Sequence, residues 1–230
     1  MAGMVPNTAG GWSFKVDDAK RLHRFLILGV EGGTFYASQR TLTLGNVKAL
    51  LRMLEAGMGT EVVAAIRGVS LSGRAAKQDP TLFALAVCAR RGDVKTRRAA
   101  YAAVADVCRI PTHLFTFISY TESMGEGTGW GRAPRRAIKS WYARDPVQLA
   151  RATTKYRARA GWSHTDVLRL AHPTPASPEH RVLFRYLTKG LSEVDKAAVA
   201  ACQGGADGEF MRLLTAVEEM KALGKQPRVI

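Results

Sequence analysis

Apolar side chains recur at helical spacing along most of the chain. Leu22, Phe25 and Leu26 follow the pair Asp17-Asp18 and stop at Gly29, an acidic cap ahead of an apolar stripe. Val47, Leu50, Leu51 and Leu54 fall at i, i+3, i+4 and i+7, and Gly57 closes that helix. Thr60-Glu61 opens the next. Asp79-Pro80 and Asp145-Pro146 each read as an N-cap followed by proline at the first helical position, and Ile110-Pro111 repeats the device with a weaker cap. Ser163 and Asp166 make a capping pattern ahead of Val167-Leu168. Pro178 starts a helix through Leu183 and Leu187 to Gly190, and two more fit within 192–202 and 207–223. Strand signals are nearly absent. Thr112–Tyr120 is rich in β-branched and aromatic residues, but its leading proline and the 114/117/118 spacing favour helix.

About twelve short helices joined by short loops predict an all-α fold. The expected form is an α-solenoid of HEAT-like antiparallel hairpins, with a compact helical bundle as the alternative. Residues 1–13 read as a flexible tail, residues 14–230 as the helical-repeat domain, and the glycine-rich stretches 124–131 and 203–208 as mobile loops. The final helix carries Phe210, Leu213, Leu214, Val217 and Leu223 on one side, with only Pro227 and three residues after it. An array that ends there predicts an open arc, not a closed ring, and self-association through the C-terminal hairpin.

Composition narrows the class. The 230 residues are 47% hydrophobic and 23% charged, enough to bury a core and suited to one domain or one repeat array. No apolar run approaches the roughly 18 residues of a membrane span, and the N-terminus lacks the basic-then-apolar order of a secretory signal. Cys88, Cys108 and Cys202 are odd in number and form no CxxC pair, which fits a reducing cytoplasm better than a disulfide framework or zinc ribbon.

Charge changes the picture more. Lys and Arg total 34 against 19 Asp and Glu, a formal net charge of +15. Residues 1–89 are net +4, residues 90–172 net +10 and residues 173–230 net +1, so two-thirds of the excess lies in the middle third. That concentration points to a polyanion-binding face. Arg151, Lys155 and Arg159 lie at i, i+4 and i+8 after Pro146, with Arg144 one turn earlier and Val147, Ala150, Thr154 and Ala158 free to face inward. The preceding helix places Arg132, Arg136 and Lys139 on one side and Ile138, Trp141 and Tyr142 on the other. Neither stripe contains an acidic residue, so its repulsion is uncompensated unless phosphates supply the counter-charge. Tyr156 and Trp162 interleave with these cations and can stack on bases, although core packing is the simpler reading for both.

Signals for catalysis are weak. The glycine spacing of Gly68–Gly73 mimics a phosphate loop but lacks its lysine and hydroxyl. Cys88 and Cys108 sit in apolar helical faces, and the five histidines form no cluster at metal spacing. No nucleophile–base pair stands out, so no enzyme, cofactor or metal is expected.

Several longer stretches resemble one known family. They are Arg21-Leu22-His23-Arg24-Phe25-Leu26 with Glu31-Gly32-Gly33-Thr34-Phe35-Tyr36, Lys77-Gln78-Asp79-Pro80-Thr81-Leu82-Phe83, and Cys108-Arg109-Ile110-Pro111-Thr112-His113-Leu114-Phe115. Trp130-Gly131-Arg132-Ala133 and Thr154-Lys155-Tyr156-Arg157-Ala158-Arg159-Ala160-Gly161-Trp162-Ser163-His164 complete the set. Together they resemble the Ro autoantigen family, the TROVE module, from about residue 12 to about residue 190. The resemblance implies HEAT-like hairpins that bind small noncoding Y RNA on a basic outer surface. It also implies binding of misfolded noncoding RNA through single-stranded 3′ ends, and work alongside a 3′ exoribonuclease. The family's Y RNA contacts carry over to Lys155, Arg159 and His172. The later hairpins and the von Willebrand factor type A domain of the family have no counterpart in these 230 residues. Two function classes follow: a cytoplasmic RNA-binding ribonucleoprotein component, or a protein-interaction solenoid whose basic face meets an acidic protein.

Overall fold

A computed structural model of the chain describes residues 4–6, 10–14, 16–29, 48–124 and 130–189. The predicted helices at 192–202 and 207–223, the apolar C-terminal face behind the open-arc expectation, and the loop at 203–208 lie outside the described residues. So do Glu31–Tyr36, Val47 and the glycines at 125, 127 and 129.

The described chain is all-α, a succession of short helices of the α-solenoid class, with two minimal β-hairpins. In order they are β1 (Met4–Pro6), β2 (Trp12–Phe14), α1 (Asp18–Leu28), α2 (48–55), α3 (Gly59–Leu71), α4 (Asp79–Arg91), α5 (Val94–Val107), α6 (Pro111–Ser123), α7 (Arg132–Tyr142), α8 (Pro146–Lys155), β3 (Ala158–Arg159), β4 (Trp162–Ser163), α9 (His164–Ala171) and α10 (Pro178–Lys189). No described helix is long and apolar enough to cross a membrane. The chain divides into two compact units, Met1–Ala100 and Tyr101–Ile230, with α5 running across the division.

In the first unit α1 packs against α3 and α4, and α3 against α4. Asp17 accepts from the Lys20 amide at 2.7 Å to start α1, and Gly29 ends it at φ 75°, the left-handed cap that glycine adopts without a Cβ penalty. Ser70, near the end of α3, donates to Gln78 Oε1 at the head of α4, which closes that hairpin. Leu22, Phe25, Leu26, Leu50, Val62, Ile66, Leu82 and Leu85 form the core. Helix α4 begins at Asp79 itself, with Gln78 at the N-cap position, so the expected Asp79 cap is displaced by one residue. Gly68 to Leu71 are helical, which leaves no loop there to cradle a phosphate.

Within the stretch expected as a flexible tail, residues 1–13, residues 4–6 pair with residues 12–14. Met4 faces Phe14, and Pro6 faces Trp12, in an antiparallel hairpin. Strands of three residues are too short to show an alternating pattern, so nothing in their periodicity distinguishes them from loop.

In the second unit α7 and α10 both pack on α9, α10 also meets α8, and the β3–β4 hairpin lies along α6. Leu114, Phe115, Phe117, Ile118, Ile138, Trp141, Leu149, Val167 and Leu168 are buried among these elements. The ambiguous stretch after Pro111 is helical.

Candidate nucleic-acid interface

Six polar side chains hold the scaffold beneath the basic surface. Trp141 Nε1, on α7, donates to the Cys108 carbonyl at the end of α5. Arg144, in the turn after α7, donates to the Arg109 carbonyl at 2.9 Å, to Cys108 at 3.1 Å and to Ala105, and its guanidinium lies 4.6 Å from the Trp141 ring centroid. It therefore caps the C-terminal carbonyls of α5, where a cation also suits the helix dipole. This corrects its assignment to the binding stripe: Arg144 is half-buried and both its terminal nitrogens donate to backbone carbonyls.

His164 opens α9 and is buried. Its Nε2 lies 2.9 Å from the Tyr156 carbonyl and its Nδ1 2.7 Å from the Tyr142 hydroxyl. A carbonyl can only accept, so Nε2 carries the proton and Nδ1 accepts from Tyr142. Burial pushes the His164 pKa down to about 4 and raises that of Tyr142. Phe115 packs edge-on to the imidazole at 4.9 Å. His180, buried on α10, donates from Nε2 to the Arg144 carbonyl at 2.9 Å, and Thr165 on α9 donates to the Leu187 carbonyl at 2.8 Å. These bonds tie α7, α9, α10 and the segment after α8 into one frame. None of them was foreseen from sequence, because each joins residues that are not neighbours in the chain.

On this frame α7 presents Arg132, Arg136 and Lys139 to solvent and buries Ala137, Ile138, Trp141 and Tyr142, as the helical spacing requires. Arg135 is exposed too, and its position three residues after Arg132 places it on the same face. Arg151 and Lys155 are exposed on α8, whose buried residues include Leu149, Ala150 and Thr153.

The third member of that stripe departs from expectation. Helix α8 ends at Lys155, and Arg159 stands on β3, opposite Trp162 on β4. The helix stops where Tyr156 leaves helical geometry at φ −122°, ψ 84°, and the chain then turns at Ala160, φ 52°, and Gly161, φ 80°. Two successive positive φ angles make the tight hairpin turn that suits the right-handed twist of the strands. Arg157, Ala158 and Arg159 are all exposed, so Ala158 does not face inward. Arg159 is thus displayed by a hairpin and Lys155 by the last turn of a helix. Tyr156 and Trp162 are half-buried, and the Lys155 ammonium lies 5.2 Å from the Tyr156 ring centroid.

His172 is exposed at the C-cap of α9, in the left-handed region at φ 48°. An eight-residue helix is about 12 Å long, so His172 lies at the far end of α9 from the hairpin that carries Arg159. Lys155, Arg157 and Arg159 are all exposed along the segment from the end of α8 to β3, and His172 is exposed at the other end of α9, three residues after exposed Arg169. Exposed Arg135 on α7 and Arg157 before β3 add to these cations, and neither has an acidic neighbour in the sequence, whereas Arg169 stands three residues from Asp166.

Two carboxylates, Asp145 and Asp166, lie in this stretch, and Asp166 also interacts with Arg169. Asp145 accepts from the Gln148 amide at 2.9 Å. Asp166 accepts from both the Ser163 hydroxyl and the Ser163 amide, which holds its pKa below the usual carboxylate range. Both are engaged as helix caps. Among the described residues, Arg132, Arg135, Arg136, Lys139, Lys155, Arg157 and Arg159 form no ion pair with a carboxylate. Cys88 and Cys108 are buried packing groups, and desolvation pushes the Cys88 thiol up to about 12.

Fold and surface together define an all-α helical scaffold with exposed cations on α7, at the end of α8 and on the β3–β4 hairpin that form no ion pair among the described residues. The chain belongs to the TROVE domain family, whose profile matches residues 5–223. It is 34% identical over 227 residues to the RNA-binding protein RO60 of Caenorhabditis elegans, an alignment covering 82% of this chain and 35% of the relative. It is 36% identical over 206 residues to the RNA-binding protein RO60 of Deinococcus radiodurans, covering 87% of this chain and 38% of the relative. The crystal structure of the Deinococcus radiodurans RO (RSR) protein superposes with a TM-score of 0.66 at 32% identity, over 88% of this chain and 42% of that one. The chain thus spans little more than a third of the length of the curated relatives it matches.

Proposed function

We propose that the chain is an RNA-binding ribonucleoprotein component. It takes small Y-like noncoding RNA and misfolded noncoding RNA on the cationic surface of α7, α8 and the β3–β4 hairpin. The observation that carries this reading is the exposed run Lys155, Arg157 and Arg159, together with exposed Arg132, Arg135, Arg136 and Lys139 on α7, none of them in an ion pair among the described residues. Such a surface gains by exchanging condensed counterions for phosphates. The relatives' printed names, RNA-binding protein in both cases, support it. Within this reading residues 14–230 form the RNA-binding helical-repeat segment of HEAT-like hairpins, acting in the cytoplasm. A 3′ exoribonuclease is the partner that would consume the bound misfolded RNA.

The test is a salt series. Fluorescence anisotropy with a labelled RNA stem–loop should give a log–log slope near roughly −4 if about five phosphates are contacted. A flat salt response, or tighter binding to an acidic peptide than to RNA, would favour a protein-interaction surface instead.

A further inference from the structure

The corner between α4 and α5, in the first unit, lies outside the surface described above. Residues 90–98 hold Arg90, Arg91, Lys95, Arg97 and Arg98 against a single carboxylate, Asp93. Asp93 caps α5: its Oδ1 accepts from the Thr96 amide at 2.7 Å, and the Thr96 hydroxyl, that amide and the charges of Lys95 and Arg97 hold its pKa below the usual range. Arg91, Lys95, Arg97 and Arg98 are exposed, and among the described residues none forms an ion pair with a carboxylate.

The two helices differ in how they tolerate these charges. Arg90 and Arg91 stand in the last turn of α4, where the helix dipole favours cations. An ordinary solvated helix end accounts for them. Lys95, Arg97 and Arg98 stand in the first turns of α5, which has no acidic residue in its first turn, and there the dipole opposes them. The Asp93 carboxylate at the start of α5 offsets part of that repulsion through Lys95 and Arg97, which leaves Arg91 and Arg98 the least compensated cations of the corner.

The corner is also rigid. Only Gly92 and Asp93 separate the helices. A Cβ on Gly92 would lie 2.5 Å from Thr96 Cγ2 and 2.6 Å from the Cys88 carbonyl, and one on Gly59 would lie 1.9 Å from Thr96 Oγ1. Thr96 is buried, wedged between α3 and the α4–α5 turn. Arg91, Lys95 and Arg98 are thus presented from a fixed turn. Lys95 and Arg98 are neighbours at i, i+3, with Cβ atoms about 5–6 Å apart, a separation comparable with that of successive phosphates on a strand.

We propose that this α4–α5 corner is a second, sequence-independent contact for the phosphodiester backbone of the bound RNA, separate from the surface of α7, α8 and the hairpin. The inference rests on the RNA-binding reading above. An acidic protein partner fits less well: a stable protein interface needs a desolvated apolar centre, and Val94 is the one large apolar side chain exposed among residues 90–98.

The experiment compares three variants of the full chain on a labelled RNA stem–loop across a salt series. One is Arg91→Gln/Lys95→Gln/Arg98→Gln. The second, Arg24→Gln/Arg74→Gln/Lys77→Gln, removes the same charge from other exposed sites of the first unit. The third is Lys155→Gln/Arg159→Gln. The corner variant should lose about tenfold or more in affinity and lower the salt slope by about 2–3 units, with unchanged melting. The equal-charge control should lose little, and the corner and Lys155/Arg159 effects should multiply. Wild-type affinity and slope in the corner variant, or equal loss in the control, overturns the corner while the Lys155/Arg159 loss leaves the RNA-binding reading standing. Failure of the unaltered chain to bind the stem–loop overturns both.

Discussion

Replacing Arg144 separates the arginines that build this fold from those that face a ligand. Arg144→Ala removes three donors to the carbonyls of Ala105, Cys108 and Arg109 and a guanidinium stacked on Trp141. A charged donor contributes about 1.5–3 kcal/mol per hydrogen bond in protected sites. Arg144 is half-buried, so the lower end applies. The Cys108 carbonyl keeps Trp141 Nε1 as a donor, which trims the loss further. The stacking adds about 0.5–1 kcal/mol. The sum is about 3.5–4 kcal/mol, or a fall in Tm of roughly 7–16 °C for a chain of this size. Arg144→Lys should recover only part of it, since an ammonium cannot reach three carbonyls with a planar fork. Urea and thermal unfolding followed by circular dichroism measure the loss, and an RNA titration at permissive temperature should show an unchanged salt slope. Wild-type stability together with a slope reduced by about one unit would refute the argument and make Arg144 a phosphate ligand.

Three further outcomes follow from the structure. Because burial lowers the His164 pKa from 6.5 to about 4, the unfolded chain takes up a proton that the folded chain refuses, so stability falls as pH drops from about 6.5 towards 4, by up to about 3 kcal/mol; urea midpoints across that range should show it, and His164→Gln should flatten the upper half of the window, above the range where Asp93 and Asp166 titrate. Ala160 holds φ 52° in the hairpin turn, a conformation that costs an L-residue about 1 kcal/mol, so Ala160→Asn should raise the melting temperature slightly, whereas a decrease would mean the turn is not of the kind described. Gly59→Ala drives a methyl into Thr96 and should destabilise by about 1–3 kcal/mol, measured by denaturant unfolding, unlike the same change at open Gly68.

The helices were legible where a start signal and a stop signal bracketed a periodic stripe. Asp17 with Gly29, Asp145-Pro146, Pro111 and the Ser163–Asp166 box all act as their residue types suggest. The stripe on α7 was legible because eleven residues carry both a buried aromatic face and a cationic one. Arg159 was misplaced because helical spacing continues past Lys155 on paper, and Ala160-Gly161 lacks the asparagine or aspartate that usually announces a tight hairpin. The roles of Arg144, His164 and His180 were hidden for another reason. Their partners lie 22 to 39 residues away in three of the bonds that define them, and a polar residue's distant partner leaves no local pattern. An arginine that caps a helix and one that faces water look identical in a charge count.

The central claim is that the exposed cations at the end of α8 and on β3 bind RNA phosphates. Affinity of the Lys155→Ala/Arg159→Ala chain for a labelled RNA stem–loop, measured across a salt series beside its thermal melt, tests it most directly. The expected result is a loss of at least about tenfold at moderate salt and a slope flattened by about 2 units, with an unchanged melt, since both side chains face water. Undiminished binding with an unchanged slope, or a weakened melt that accounts for the loss, would contradict it.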